Sequence, residues 1–336
     1  MKKLNQNLFN TYFDHIYIEN KAMNHPNTKK ILKHFKNSEI IEINCYKELF
    51  SRCNQDFILQ KQTPKIILAV KTENLVYKGS NMCDSFGNNH FYYTSTMMNC
   101  IYDCEYCYLQ GMYPSSNIVI FVNIEDIFAE VEKLLNIHDV YICISYDTYI
   151  LAFENILGYG QKCLNFVKKH DNLKLELRTK SANFESISDI TPCSRVVLAW
   201  TLSPETVINN YEHRTPKLEA RLESAKQAIE AGWNIRICFD PILYLKDWQN
   251  NYKDLISKTF TILPSGKIKD ISIGVFRIST DYYKIMRKKR FDSIILNYPF
   301  ESVNKICSYS NNLAKQMVSF VYDLVKQYVP ENKIYI

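Results

Sequence analysis

Glycine is scarce in this chain, and long apolar runs are missing from it. The 336 residues include eight glycines, so long linkers of the glycine-rich kind are not expected. No run of about 18 apolar residues occurs, which argues against a membrane-spanning helix. The first residues, Met1–Gln6, contain no apolar segment of signal-peptide length. The sequence therefore predicts a cytoplasmic protein that is not held by a membrane.

Cysteine is plentiful, but its pattern does not suggest disulfide bonds. Eleven cysteines are spread along the chain, and their number is odd. A chain of this length, with 46% hydrophobic residues, can bury a sizeable core without a disulfide framework. Free thiols together with one metal-binding loop suit a reducing compartment.

The charge of the chain is uneven. Its 41 basic and 35 acidic residues give a formal net charge of +6. Residues 241–336 hold 15 Lys and Arg against 8 Asp and Glu, so this segment accounts for the whole excess. It includes the run Arg287-Lys288-Lys289-Arg290. A basic surface suits a phosphate backbone, although such a run also occurs at the solvated end of a helix.

One short loop concentrates the candidate chemistry. Cys100, Cys104 and Cys107 are spaced C-x3-C-x2-C, with aromatic residues around them. Thiolates are the usual ligands of iron–sulfur clusters, and three of them can hold three irons of a [4Fe-4S] cubane. The fourth iron is then left without a protein ligand, as in metal sites that keep a position open for a substrate. A structural zinc site is the alternative, but it requires a fourth ligand, and none follows at a suitable spacing.

The chain resembles the spore photoproduct lyase family of radical S-adenosylmethionine (SAM) enzymes. The spacing of the three cysteines is the signature of the radical SAM superfamily. The resemblance to the lyases covers roughly residues 65–280. The segments that carry it are Cys107–Gln110, Asn117–Asn123, Ile124–Phe128, Val207–Glu212, Arg221 and Ala231–Trp233.

This resemblance implies a reaction, two cofactors and two partners. A [4Fe-4S] cluster and S-adenosyl-L-methionine would supply a 5'-deoxyadenosyl radical. The radical would take a hydrogen from the spore photoproduct, 5-thyminyl-5,6-dihydrothymine, and the lesion would revert to two thymines. The implied partners are DNA that contains the lesion and an unidentified low-potential electron donor.

Roles for individual residues also follow from the resemblance. Cys143, in a Cys-x-Ser segment, would return a hydrogen atom to the product radical, and Ser145 would contact SAM. Lys180 would hold the carboxylate of SAM. Tyr106 and Tyr108, which flank Cys107, would lie near SAM and take part in a radical relay.

Simpler explanations remain open for the same residues. Cys143 lies in an apolar strand and suits packing alone, and Lys180 suits an exposed lysine at a strand end. The two tyrosines flanking Cys107 suit a shield that keeps water from a cluster. Cys83, in a turn-rich segment before the loop, is a second candidate for the hydrogen donor. We rank it below Cys143 because no strand directs its side chain inward.

The alternation of strand and helix patterns predicts the fold class. Apolar strand-like segments are interleaved with amphipathic helical ones, which is typical of a parallel sheet covered by helices. The predicted strands are Tyr92–Thr94, Ile118–Val122, Asp139–Ser145, Leu173–Thr179, Arg195–Trp200, Asn234–Phe239 and Ile271–Arg277. Together with the resemblance they predict an α/β fold: a partial (β/α)6 TIM-type barrel of the radical SAM type. Its chemistry is expected at the carboxyl ends of the strands.

We expect three domains. Residues 1–90 form an N-terminal α/β cap, residues 91–280 the partial barrel, and residues 281–336 a basic, helical C-terminal extension. The resemblance fades in the extension, where family members carry an arginine that meets the lesion and residues 306–312 contain none. The glycine-rich SAM motif of many radical SAM enzymes is also absent.

Two other functions therefore stay open. The first is a lyase-like radical SAM enzyme that acts on a different substrate, which the missing arginine favours. The second is a non-catalytic nucleic-acid-binding protein with a structural metal site.

Overall fold

Strands form four sheets within the part of the chain that the structure describes. The computed structural model describes residues 13–80 and 83–336. The strands are β1 (His15–Glu19), β2 (Glu39–Ile43), β3 (Ile66–Ala69), β4 (Tyr77–Lys78), β5 (Phe91–Tyr93), β6 (Met97–Met98), β7 (Asp103–Cys104), β8 (Ile118–Phe121), β9 (Val140–Cys143), β10 (Leu173–Thr179), β11 (Val196–Thr201), β12 (Glu212–His213), β13 (Asn234–Ile242), β14 (Ile268–Val275), β15 (Arg277–Ser279), β16 (Glu301–Val303), β17 (Ile306–Ser308) and β18 (Ile334–Tyr335).

Helices alternate with most of the longer strands. The α-helices are α1 (Pro26–Leu32), α2 (Tyr46–Phe50), α3 (Phe57–Gln62), α4 (Leu109–Met112), α5 (Ile124–Leu135), α6 (Glu154–Leu157), α7 (Tyr159–Val167), α8 (Glu205–Tyr211), α9 (Leu218–Glu230), α10 (Trp248–Ile262), α11 (Thr280–Lys289) and α12 (Asn311–Val325). Short 3-10 helices lie at Asn20–Ala22, Ile150–Ala152, Phe184–Ile187, Ser265–Lys267 and Glu331–Lys333. Among residues 13–80 and 83–336, none of these helices has the length and apolar character that crossing a membrane requires.

The largest sheet is the partial barrel. Its strand order is β18-β14-β13-β11-β10-β9-β5-β4. The six strands from β14 to β5 run parallel to their neighbours, which confirms the predicted (β/α)6 architecture. At one edge β18 continues the sheet in parallel, and at the other β4 pairs with β5 in antiparallel.

Alternation along β10 separates the outer core from the barrel interior. Leu175 and Leu177 belong to the large buried hydrophobic core, while Glu176 between them points to the opposite face. There Glu176 is paired with Arg236 of β13, which also binds Asp270 of β14 with Nη2 to Oδ2 at 2.9 Å. Because these charges are buried, each needs its partner, and the ion pairs join β10, β13 and β14 on this face of the sheet.

A second sheet, of order β2-β1-β3-β8-β6, corrects one expectation. The sequence places the strand at 118–122 in the barrel series, but β8 pairs with β3 in parallel and with β6 in antiparallel. All four residues of β8 are buried, so the strand fits the interior of either sheet, and pattern alone does not choose. Because β8 joins β3 and β4 joins the barrel, the cap and the barrel share strands, and the domain division at residue 90 stays a prediction.

Two helices expected to be continuous are broken. The periodicity predicts one helix over Tyr46–Gln60 and another over Phe153–Lys169. The first is interrupted between α2 and α3, where Asn54 takes φ 56°. The second is interrupted by Gly158 at φ 66°, between α6 and α7. A left-handed residue cannot continue an α-helix, and Asn and Gly tolerate that conformation best.

The C-terminal segment packs back onto the barrel. After α11 the strands β16 and β17 form a hairpin whose turn residues, Asn304 and Lys305, have φ angles of 51° and 64°. The hairpin pairs with β15, which directly follows the last barrel strand. Helix α12 then leads to β18 at the edge of the barrel sheet.

Candidate active site

The loop that carries the three cysteines is held by neighbouring backbone at its start and in its middle. It begins at Asn99, whose φ of 66° is left-handed and whose Nδ2 donates to the carbonyls of Ser115 and Asn117 at 2.8 and 2.7 Å. Within the loop, β7 pairs with β12, so that Cys104 lies opposite Glu212. This fixed backbone orients the three thiols before any metal arrives.

The thiols themselves are largely withdrawn from solvent. Cys100 and Cys104 are buried, and Cys107 is half-buried. Burial raises the pKa of Cys107 to about 11, and it raises the pKa of Cys104 further above the ordinary thiol value. Negative charge on Cys107 and Cys100 adds to the rise in the pKa of Cys104, because the three groups are close together. Thiolates in such a site need a cationic partner, which a metal centre supplies.

This set of donors fits an iron–sulfur cluster. Among residues 13–80 and 83–336, no three His, Cys, Asp or Glu side chains converge into a group that could hold one metal ion. Three thiols on one loop, with Lys180 Nζ 3.7 Å from Cys104 Sγ, suit a cluster that becomes negatively charged when three thiolates bind it.

Lys180 lies beside this loop and is buried. The alternative interpretation, an exposed lysine at a strand end, is therefore wrong. Its ammonium donates to the carboxylate of Glu212 at 2.8 Å and to the hydroxyl of Tyr106 at 2.7 Å. It also lies over the ring of Tyr106, 4.9 Å from the centroid. All three ammonium hydrogens therefore have acceptors when the sulfur of Cys104 is included.

Glu212 is the centre of the charged group behind Lys180. It accepts hydrogen bonds from Tyr106, from Ser203 at 2.7 Å and from Arg221 at 2.5 Å. Although burial opposes ionisation, Lys180 and Arg221 hold the pKa of Glu212 well below its usual range. Glu212 and Arg221 fall within segments that resemble the lyase family, but no role for either follows from the sequence.

Side chains from two helices bind the main chain of the loop. Lys61 of α3 donates to the carbonyls of Cys100 and Tyr102 at 2.5 and 2.9 Å. Gln110 of α4 donates to the carbonyl of Cys104 at 2.6 Å. These contacts could not be predicted from the sequence, because a single Lys or Gln belongs to no pattern that indicates which distant backbone carbonyl it binds.

The basic run Arg287–Arg290 turns partly inward. Lys289 donates to the carbonyls of Gln110 and Tyr113 at 2.8 and 2.9 Å. Arg290 donates through Nε to Gln110 Oε1 at 2.8 Å and is paired with Asp103. Both predicted explanations, a phosphate contact and a solvated helix end, are therefore wrong for Lys289 and Arg290. They remain open for Arg287 and Lys288, which are exposed.

Replacing Arg290 by glutamine is expected to weaken the attachment of the cluster loop. The change leaves Asp103, which is mostly buried, without its partner, at a cost of about 3 kcal/mol in the free energy of unfolding. Urea unfolding of the cluster-free protein measures it. Lys288→Gln is the control, because an exposed side chain should change the free energy by less than about 0.5 kcal/mol. Equal free energies of unfolding for the two variants would contradict the proposal that Arg290 holds the cluster loop.

Cys143 is the last residue of β9 and is buried. Burial raises the pKa of its thiol to about 12, so Cys143 keeps its hydrogen at neutral pH, as a hydrogen-atom donor must. Two residues later, Ser145 Oγ accepts a hydrogen bond from the backbone N–H of Arg178 at 2.7 Å. Burial alone is also what packing would require, so the donor role of Cys143 and the SAM contact of Ser145 stay predictions.

Tyr106 and Tyr108 face different partners on either side of Cys107. Tyr106 points to Lys180 and the carboxylate behind it, whereas Tyr108 donates to the carbonyl of Tyr146 at 2.7 Å. Burial raises the pKa of both phenols well above the usual value, so both hold their protons. The remaining candidate, Cys83, is half-buried, and its Sγ lies 3.8 Å from the hydroxyl of Tyr146.

A model of one protein family matches nearly the whole chain. It is described as spore photoproduct lyase, and it matches residues 12–334. The chain belongs to the spore photoproduct lyase family. It is accordingly a radical SAM enzyme of the lyase type, with S-adenosyl-L-methionine and a [4Fe-4S] cluster as cofactors. Family membership also speaks against the non-catalytic alternative.

Curated relatives agree with this assignment. The spore photoproduct lyase of Clostridium acetobutylicum is 26% identical over 259 residues, which cover 73% of each chain. The enzyme of Bacillus subtilis is 22% identical over 268 residues, which cover 78% of this chain and 77% of the relative.

Solved structures of spore photoproduct lyases share the fold. A complex with dinucleoside spore photoproduct superposes with a TM-score of 0.81 at 17% identity, over 96% of this chain and 97% of the other. A mutant with bound AdoMet and dinucleoside spore photoproduct gives the same TM-score at 18% identity and the same coverage. At this level of identity the likeness establishes the fold, and it confirms the predicted architecture.

Proposed function

We propose that this protein is a DNA-repair lyase that reverses the spore photoproduct to two thymines. The observation that carries the proposal is the loop of Cys100, Cys104 and Cys107, set at the barrel beside Lys180 in a chain that matches the lyase family from residue 12 to residue 334. Relatives that share the fold bind the dinucleoside form of this lesion. The same chemistry applied to a different substrate is the second candidate.

The three thiols of the loop would hold the cluster, and neighbouring groups would hold SAM. When bound, these cofactors supply a 5'-deoxyadenosyl radical. Lys180 would offer a cation to the SAM carboxylate, and Tyr106 and Ser145 would contact SAM. Because the three ammonium hydrogens of Lys180 already have acceptors, a carboxylate must displace Glu212, Tyr106 or the sulfur of Cys104 as an acceptor.

The protein's own part in the reaction is to exclude water and to supply a hydrogen atom. The buried ring of Tyr106 and the half-buried ring of Tyr108 flank Cys107 and limit the access of solvent to the site. Cys143 would transfer its thiol hydrogen to the carbon radical of the product, breaking an S–H bond and forming a C–H bond. Tyr106 and Tyr108 would take part in the subsequent radical relay.

DNA with the lesion would bind at the mouth of the barrel. A stacked base cannot reach a site at the ends of barrel strands, so the lesion must leave the duplex stack. The exposed cations of residues 241–336, including Arg287 and Lys288, would contact the phosphate backbone. An external donor of low potential would reduce the cluster.

One feature of the hairpin favours the second candidate. Residues 301–312, which contain β16, β17 and the turn Asn304-Lys305, include no arginine. The family resemblance implies an arginine that contacts the lesion in the segment that corresponds to residues 306–312. A radical SAM lyase with a different substrate would explain the change.

Anaerobic incubation with the synthetic dinucleoside lesion decides between these candidates. The reconstituted, reduced protein is expected to convert the lesion to thymidine products and to form 5'-deoxyadenosine. If 5'-deoxyadenosine forms while the lesion persists, the protein is a radical SAM enzyme with another substrate.

Replacing Lys180 by alanine is expected to weaken SAM binding by roughly tenfold to a hundredfold, since charge-assisted hydrogen bonds contribute about 1.5–3 kcal/mol. Equilibrium binding of SAM to the cluster-loaded protein measures the effect. Lys162→Ala, at an ion pair on the surface, is the control and should bind SAM normally. An unchanged dissociation constant for Lys180→Ala would remove this residue from the SAM site.

A further inference from the structure

Tyr146 lies between the two cysteines that are candidates for the hydrogen donor. Its hydroxyl is 3.8 Å from Cys83 Sγ. Its ring stacks on Tyr93, with centroids 4.0 Å apart and an interplanar angle of 23°. Tyr93 in turn is the direct neighbour of Cys143 across β5 and β9. The stacked pair of rings therefore connects one thiol to the other.

Tyr146 also contacts a tyrosine of the cluster loop. Its carbonyl accepts the hydroxyl hydrogen bond of Tyr108 at 2.7 Å, and the two rings meet edge to face with centroids 6.0 Å apart. The side chain of Tyr146 thus contacts Cys83, Tyr93 and Tyr108 at once. The reaction proposed above does not use Tyr146.

The phenol of Tyr146 is held in its neutral form. Burial, followed by the nearness of Cys83, raises its pKa above the usual tyrosine value. It therefore carries a hydrogen at neutral pH and can release it as an atom. Phenolic O–H and thiol S–H bonds are similar in strength, so transfer between them needs little driving force.

We infer that Tyr146 is a further catalytic residue, the phenol that restores the hydrogen of Cys83 after this thiol has reduced a carbon radical. The inference rests on the proposed function and makes Cys83–Tyr146 a second donor unit beside Cys143. In the first step the S–H bond of Cys83 breaks, a C–H bond forms on the substrate carbon, and a thiyl radical remains.

In the second step the O–H bond of Tyr146 breaks and the S–H bond of Cys83 forms again. The unpaired electron then resides on the phenoxyl oxygen. A hydrogen atom from the methyl group of 5'-deoxyadenosine, the nucleoside that SAM cleavage provides, would restore the phenol and leave a 5'-deoxyadenosyl radical. That radical would rejoin methionine to give SAM, and the electron spent on SAM cleavage would return to the cluster, so no further oxidant or reductant is needed.

The test uses variants made in a Cys143→Ala background, where the second unit must act alone. Cys143→Ala should still complete several lesion turnovers per enzyme, and adding Cys83→Ala should abolish clean repair. Adding Tyr146→Phe, which keeps the stacked ring, should reduce repair to a single turnover per enzyme. Tyr77→Phe is the matched control, because the ring of Tyr77 also stacks on Tyr93, with centroids 4.9 Å apart, and it should leave turnover unchanged.

Freeze-quench electron paramagnetic resonance provides a readout besides activity. The tyrosyl signal that belongs to Tyr146 is expected in Cys143→Ala and in its Tyr77→Phe derivative. It should be lost from the Tyr146→Phe derivative, whereas any signal from Tyr106 or Tyr108 should remain. Equal turnover and equal radical signals with and without the Tyr146 hydroxyl would overturn the inference. Failure of the unmodified enzyme to repair the lesion would instead overturn the proposed function, and the inference with it.

Discussion

Replacement of Cys104 by alanine is expected to remove the iron–sulfur cluster and with it all cleavage of SAM. Cys104 is the buried thiol nearest to Lys180, and two thiols alone leave two irons of a cubane without protein ligands. Iron analysis, the visible absorption spectrum and the yield of 5'-deoxyadenosine after anaerobic reconstitution measure the effect. We expect the yield to fall below detection.

The matched control for this change is Cys163→Ala. Cys163 is equally buried, but it lies in α7 among core residues and away from the loop. This variant should bind the normal amount of iron and cleave SAM at the normal rate. A Cys104→Ala protein that keeps a complete [4Fe-4S] spectrum would show that the ligands are assigned wrongly.

Replacement of Cys143 by alanine is expected to separate SAM cleavage from clean repair. The cluster loop and Lys180 are untouched, so radical formation continues, but the product radical loses its principal source of hydrogen. The yield of clean thymine product should fall by about tenfold or more. This corresponds to ~1.4 kcal/mol or more in the activation free energy of hydrogen transfer to the product radical. Chromatography of the products with labelled lesion measures the fraction diverted to by-products.

Cys238→Ala offers a control with a similar environment. Cys238 is a fully buried thiol of β13, and like Cys143 it lies near Glu176 and Arg178. This variant should give thymine as the main product. If Cys143→Ala repairs cleanly and Cys83→Ala does not, the role of principal donor moves to Cys83.

The barrel could be predicted from sequence because its signal is repeated. The strands β9, β11 and β13 are mainly apolar segments, each followed by an α-helix before the next strand of the series, and this alternation is typical of a parallel sheet. The placement of β8 could not be predicted, because all its residues are buried and the same apolar pattern would suit the interior of either sheet. The broken helices at Asn54 and Gly158 follow from single left-handed residues, which periodicity does not register.

Some residues of the site could likewise be predicted from the sequence, and others could not. Cys100, Cys104 and Cys107 are adjacent in sequence, so spacing alone brings them together. Lys180 was predicted beside them from the family resemblance, and the structure places it 3.7 Å from Cys104 Sγ. Glu212 could not be assigned from the residues, because its function depends on a buried cation from another strand.

The contribution of the C-terminal extension was the least predictable part. A run of four basic residues looks alike whether it faces solvent or protein. Only the tertiary structure shows that Arg290 reaches Gln110, 180 residues away in the chain, and so reinforces the cluster loop.

The central claim is that three thiols hold a cluster whose remaining iron is free to bind SAM. The most direct measurement is electron paramagnetic resonance of the reduced, reconstituted protein before and after SAM is added, with metal analysis of the same sample. The account predicts about four irons per chain and a cluster signal that changes shape when SAM binds. A protein that carries zinc, or a cluster whose signal does not respond to SAM, would contradict it.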